Sequence, residues 1–146
     1  LLLLDGAYAE FVRRNDYAAG VELASESDNV IVTRTFSKLY GLAGLRVGWG
    51  YAPRHVAEAL ERVRMPFNVS LPAQAAAIAA LEDDAFVQTS LDHNDRELAR
   101  LIAELRTMGL ETPDSVGNFA VPRFADAATA AAALAFLKTR GVTVRG

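Results

Sequence analysis

Leucine fills positions 1 to 4, Asp5 closes the run, and β-branched residues return in NVIVTRT (29–35) after a polar interval with helical potential at 17–26. Short apolar runs bounded by polar and turn residues predict buried strands. A third run, LRVGWGYA (45–52), predicts another strand that ends at Pro53. From Arg54 the period changes. Val56, Ala59, Leu60 and Val63 recur at i, i+3, i+4 and i+7, which predicts an amphipathic helix over 54–64. MPFNV breaks it, Ser70 with Pro72 close behind marks a new helix start, and AQAAAIAALED is alanine-rich enough to pack closely. A longer helix is predicted over about 84–108, with Phe86, Leu91, Leu98, Leu101, Ile102 and Leu105 inward and Gly109 at its end. After ETPDSVG, NFAVPRF predicts a strand, Asp126 caps a helix through AATAAAALAFLKTR, Gly141 ends it, and VTVR begins a further strand. The alanine run at 127–135 reads as helix rather than low-complexity sequence, and no internal repeat is visible.

Strands alternating with helices predict an α/β fold. Asp5 and Lys38 then stand at strand ends. If the first two strands are parallel, both residues lie at the carboxyl edge of the sheet, where open α/β sheets place ligands. An apolar strand at the very start, without an initiator methionine, wants neighbours on both sides in a parallel sheet, so the chain reads as a piece of something larger. Alone it is expected to expose strand edges and aggregate.

With 146 residues, of which 51% are hydrophobic, the chain can bury an ordinary core as one or two domains. Its net charge of −3 lacks the basic footprint of a nucleic-acid binder. The absence of cysteine removes disulfides and thiolate sites, and His55 and His93 are too far apart in sequence for a local metal motif; both read as solvent-facing. The opening leucines fall far short of a membrane span. A cytoplasmic protein with neither nucleic-acid nor membrane partner, and no structural metal, is the expectation.

The stretch TRTFSKLYGLAGLRVGWG (33–50) carries the candidate chemistry. Lysine is ordinarily protonated at neutral pH, so a single lysine among hydroxyls suits covalent capture of an aldehyde when desolvation or a cationic neighbour lowers its pKa. Thr35, Ser37 and Arg46 offer two hydroxyls and a forked cation for a phosphate dianion, and Gly41, Gly44 and Gly48 let the backbone turn closely around it. An aldehyde that carries a phosphate is pyridoxal 5′-phosphate, whose ring nitrogen needs an anion beside it, and Asp5 is available. The residue types also admit plainer readings. Lys38 could be a solvated loop charge, Asp5 and Arg46 strand-end charges, and Tyr8, Thr35 and Ser37 partners of local backbone. Trp49 and the helix aromatics read as core, and the RVGWG glycines lack the strand–GxGxxG–helix order of a dinucleotide loop.

TFSKLYGLAGLRVGW resembles the pyridoxal-phosphate attachment signature of the class I/II aminotransferases, in the fold-type I superfamily. DGAYAEF (5–11) is similar to that family's Asp-x-x-Tyr element, and MPFNVSLPAQAAAIAAL to the segment that follows the signature in histidinol-phosphate aminotransferases. The resemblance implies Lys38 as the lysine that binds the cofactor covalently, Asp5 as partner of the ring nitrogen and Tyr8 as donor to the ring's phenolic oxygen. Thr35, Ser37 and Arg46 become phosphate ligands, and Arg145, in GVTVRG, the arginine that meets the substrate's acidic group. It implies a homodimer acting on a small-molecule amino donor and a 2-oxo acid. The chain would then comprise the end of a mostly parallel large domain (1–83), a linking helix (84–109) and the start of a truncated α+β small domain (110–146). Gly6 departs from the pattern, since many relatives have Glu there. The family's amino-terminal half, with its ring-stacking residue and further phosphate ligands, is not in this sequence, nor is a second substrate-binding arginine expected beyond Gly146.

Three functions follow from the resemblance. The first is transamination of histidinol phosphate with 2-oxoglutarate in histidine biosynthesis, with another class I/II aminotransferase, such as one for aromatic amino acids, close beside it. Threonine-phosphate decarboxylases resemble the same segments. The non-enzyme alternative is a pyridoxal-phosphate-binding transcription regulator, which an upstream helix-turn-helix would reveal.

Overall fold

The computed structural model describes residues 1–145. It divides into two compact units, Leu1–His93 and Asn94–Gly146.

The first unit is built on a three-stranded mixed sheet in the order β1 (Leu2–Asp5), β2 (Val30–Thr35), β3 (Gly48–Tyr51). The first pair is parallel, with Leu2 opposite Val30 and Asp5 opposite Thr33. The second pair is antiparallel, with Thr35 opposite Gly48. Side chains alternate across a strand, and in β2 this buries Val30, Val32 and Arg34 on one face while Ile31, Thr33 and Thr35 stay half-buried on the other. Short helix α1 (Val21–Glu26) brings Ala24 onto Val30 and Val32, with Leu4 and Val21 packed around them. Val32 is fully enclosed.

After β3 come α2 (Arg54–Val63), α3 (Leu71–Glu82) and the first turns of α4 (Asp84–Thr107). Ser70 caps α3 by accepting the Ala73 N–H at 3.3 Å, and Pro72 sits in its first turn, as the sequence predicts. Ala73 and Ala77 are the buried pair of α3, one turn apart.

In the second unit α4 ends at Thr107 with Gly109 just beyond it, α5 (Ala127–Thr139) is capped by Asp126 accepting the Thr129 N–H at 2.7 Å, and Gly141 follows it. The connection between the helices is held by Arg106, which donates to Thr112 O at 2.6 and 2.9 Å and pairs with Asp114 at 2.8 Å. Asn94 donates to Gly117 O at 2.9 Å.

Several expectations are corrected. NFAVPRF forms no strand; its contribution is one isolated bridge, Glu111 to Arg123. Pro122 has no N–H to give a ladder, and no described strand lies beside the segment. VTVR is likewise outside any strand. The opening leucines form a strand but not a buried one, since β1 is an edge of the sheet and Leu3 is 60% exposed. Trp49, Phe86 and Phe136 are about half-exposed rather than core. Of the six residues expected inward on α4, Ile102 is buried while Phe86 and Leu101 are exposed. His55 and His93 are exposed, and both sit on helices.

A Cβ added at Gly48 would stand 2.6 Å from the Arg34 carbonyl oxygen, whereas one at Gly44 would meet nothing within 4 Å. Gly48, the first residue of β3, is therefore the glycine that strand pairing demands. Gly48→Ala is expected to cost roughly 1–3 kcal/mol in urea unfolding, and Gly44→Ala to stay within about 0.5 kcal/mol of wild type. Equal costs at the two positions would contradict this account of the β2–β3 pair.

Candidate active site

β2 delivers the chain to a tightly held loop. Phe36 N–H donates to Val47 O at 3.2 Å, Leu42 N–H to Phe36 O at 2.9 Å, and Gly41 N–H to Lys38 O at 3.0 Å. Phe36 and Leu39 are buried, which anchors the turn from both sides and leaves Lys38 exposed at its crest. Asp5, the last residue of β1, is exposed at the same edge, and its Oδ1 accepts the Ala7 N–H at 3.1 Å. This contact turns the chain out of the sheet. A single 3-10 turn, Ala9–Phe11, follows, seated by buried Ala9 and Phe11.

Tyr8 begins that turn. The Lys38 ammonium lies 5.4 Å from the centroid of its ring, within range of a cation–π contact. The structure thus brings Lys38, from the β2 loop, together with Tyr8, from the β1 loop. Thr35, Ser37 and Arg46 form a second group. Thr35 Oγ1 accepts the Ser37 N–H at 3.0 Å, and Arg46 Nη1 donates to Ala43 O at 2.7 Å and reaches Ser37 Oγ at 3.4 Å. Arg46 adopts left-handed backbone, φ 54° and ψ 51°, a conformation that costs a non-glycine residue about 1–2 kcal/mol. The two short hydroxyls and the guanidinium can make a donor set for a tetrahedral dianion, and the exposed Lys38 amine of the same loop can attack a carbonyl. Arg145 is exposed in the second unit and stands on no strand.

Two residues here lie outside the sequence reading. Arg34 is buried beneath the loop, 3.4 Å from Glu10 and beside Trp49, its partner in the β2–β3 register. The signal was available in VIVTRT, where Arg34 keeps the period-two register of Val30 and Val32 and so belongs on the core face. Among the described residues no cluster of His, Asp or Glu could hold a metal ion, and no helix is long and apolar enough to cross a membrane.

The whole chain, residues 1–146, matches the family model for aminotransferase class I and II. The chain belongs to that family. The histidinol-phosphate aminotransferase of Paramagnetospirillum magneticum is 50% identical to it over 147 residues, which cover 99% of this chain and 40% of the relative. That of Nitrobacter winogradskyi is 48% identical over the same coverage. A crystal structure of histidinol-phosphate aminotransferase from Sinorhizobium meliloti, in complex with pyridoxal-5′-phosphate, aligns with a TM-score of 0.89 at 33% identity, over 99% of this chain and 40% of that one. This aminotransferase chain therefore spans about two fifths of the length of the relatives it matches.

Tyr40 closes the same loop of the aminotransferase chain, its ring 5.0 Å from that of Phe36. Burial, and after it the negative charge of Glu10, push the Tyr40 phenol above its ordinary range. A raised phenol favours the folded state while protonated. That contribution is complete below the ordinary pKa of 10.0 and is lost as pH rises through the higher folded-state value. Urea midpoints measured at about pH 8 and about pH 11 should therefore differ less in Tyr40→Phe than in wild type. An unchanged difference would remove Tyr40 from the alkaline limb.

Proposed function

We propose that this chain is the lysine-bearing part of a pyridoxal-phosphate-dependent histidinol-phosphate aminotransferase. The observation that carries the reading is the grouping of Lys38 with Tyr8, and of Arg46 with Ser37, on loops at one sheet edge of a chain 50% identical to such an enzyme.

The residues fit the cofactor. Arg46, Ser37 and Thr35 are gathered on one anchored loop and would hold a phosphate, the guanidinium supplying charge and geometry and the hydroxyls the remaining donors. Lys38 would hold the cofactor covalently through Nζ, Asp5 would keep the ring nitrogen protonated, and Tyr8 would donate its hydroxyl to the phenolic oxygen. When bound, pyridoxal phosphate supplies an electron sink for the electron pair of the substrate's Cα–H bond. The work of the chain is to aim and to move a proton. The Lys38 amine would take the proton from the substrate's Cα as a general base and, as a general acid, would deliver it to the cofactor's aldehyde-derived carbon, the 1,3-shift that transamination needs. The Asp5 carboxylate, oriented by the Ala7 N–H, would stand beside the ring nitrogen and balance its positive charge. Arg145 is the candidate in this chain for the substrate's phosphate.

The same reading takes 2-oxoglutarate as amino acceptor, residues 1–83 as the end of a large domain, 84–109 as the linking helix and 110–146 as the start of a small one. It makes the whole protein a cytoplasmic homodimer.

The full-length protein is expected to form glutamate from histidinol phosphate and 2-oxoglutarate, and Lys38→Ala to lower that rate by about a hundredfold to ten-thousandfold. Release of carbon dioxide from threonine phosphate, without glutamate formation, would instead make the protein a decarboxylase. Undiminished glutamate formation in Lys38→Ala would remove Lys38 from the reaction.

A further inference from the structure

β2 places a guanidinium where its pattern calls for an apolar side chain. Val30, Val32 and Arg34 share one face and are all buried, and the Arg34 side chain keeps 6% of its exposure. A buried cation is costly unless its donors are met, and an apolar residue of similar volume is often as stable there or more so. Core packing alone therefore gives no reason for arginine.

What arginine provides is reach in several directions. Nε lies 3.4 Å from Glu10 Oε1, Nη2 donates to Ala19 O at 2.9 Å, and the Trp49 ring centroid is 5.9 Å from Cζ. Among the described residues Nη1 has no hydrogen-bond partner, and it lies over Gly6, where an added Cβ would fall 1.5 Å from it. Gly6, Glu10 and Ala19 all belong to the connection from β1 to α1. That connection starts directly after Asp5 and contains Tyr8, while Arg34's own backbone runs on through Thr35 to Ser37 and Lys38. A single side chain thus joins the segment bearing Asp5 and Tyr8 to the strand bearing Lys38. Its fork touches two separated points of the connection, which the single head group of a lysine cannot do.

We propose that Arg34 is a positioning residue for the cofactor site: it clamps residues 6–20 against β2, and so fixes Tyr8 beside Lys38 and Asp5 at the sheet edge. The word cofactor rests on the function proposed above; the clamp itself does not. Gly6 and Arg34 form a matched pair, because the guanidinium occupies the volume that any side chain at position 6 would need.

The test uses the full-length protein in two arms. In the first, amide hydrogen exchange is followed without cofactor. Arg34→Met should lower protection of the Ala7 and Ala9 amides by about tenfold or more, since these bond to Asp5 Oδ1 and Gly6 O within the clamped segment, while the β1–β2 ladder amides keep theirs. In the second, pyridoxal phosphate is titrated into the cofactor-free protein. Its Kd should rise about tenfold in Arg34→Met, recover in part in Arg34→Lys, and rise in Glu10→Gln, which loosens the clamp while leaving the buried cation in place. Should Arg34→Met fail to fold, Glu10→Gln and Arg34→Lys carry both arms. Wild-type protection at Ala7 and Ala9 in every folded variant, or a protection loss spread evenly over β1 and β2, would overturn the proposal. Lost protection with an unchanged Kd would overturn the positioning role. If wild-type protein takes up no pyridoxal phosphate, the proposed function fails and the exchange arm still decides the clamp.

Discussion

Because β1 and β2 run parallel, with Asp5 opposite Thr33, the chain leaves both strands at the same edge of the sheet, and every candidate group except Arg145 is placed by that fact. An antiparallel pair would have sent Asp5 and Lys38 to opposite ends. The parallel pair in turn needs a connection that crosses back, and residues 6–29 supply it through a 3-10 turn and α1, whose Ala24 seals the core against Val30 and Val32. Tyr8 lies on the outward leg of that crossover. Its meeting with Lys38, at 5.4 Å, is thus a consequence of topology.

The loop after β2 shows how a reactive group is presented by burying its neighbours. Phe36 and Leu39 go down, Ser37 and Lys38 come up, and four backbone bonds among residues 36–47 hold the turn. Arg46 is held in left-handed backbone at the far end, with its guanidinium brought back toward Ser37. Strain of this sort persists where surrounding bonds over-determine it. Beneath the loop the buried Arg34 pairs with half-buried Glu10, a contact that packing alone does not explain.

Local features were legible from the sequence. α2 through α5 fall where periodicity, the Ser70 and Asp126 caps and the glycines at 109 and 141 put them, because those signals act within a few residues. The parallel edge bearing Asp5 and Lys38 was legible too, since two β-rich runs separated by a helical interval have few other ways to pair. Burial was not. Phe86, Leu101 and Trp49 have core chemistry and exposed positions, since what covers a side chain is decided by distant elements. NFAVPRF and VTVR failed as strands for the same reason: a strand exists only beside a partner. Within the candidate site, the grouping of Thr35, Ser37 and Arg46 could be read from one continuous stretch, whereas the Arg34–Glu10 pair spans 24 positions and shows itself only in three dimensions.

Lys38 as the reactive amine at that edge is the central assignment, and the sequence allows a sharp comparison, since its two lysines are Lys38 and Lys138. The most direct measurement is borohydride reduction of the full-length protein with pyridoxal phosphate, followed by peptide mapping of the labelled lysine. The label is expected on the peptide containing Lys38 and absent from that containing Lys138. A label on Lys138, or on a lysine outside this chain with Lys38 unmodified, would contradict the account.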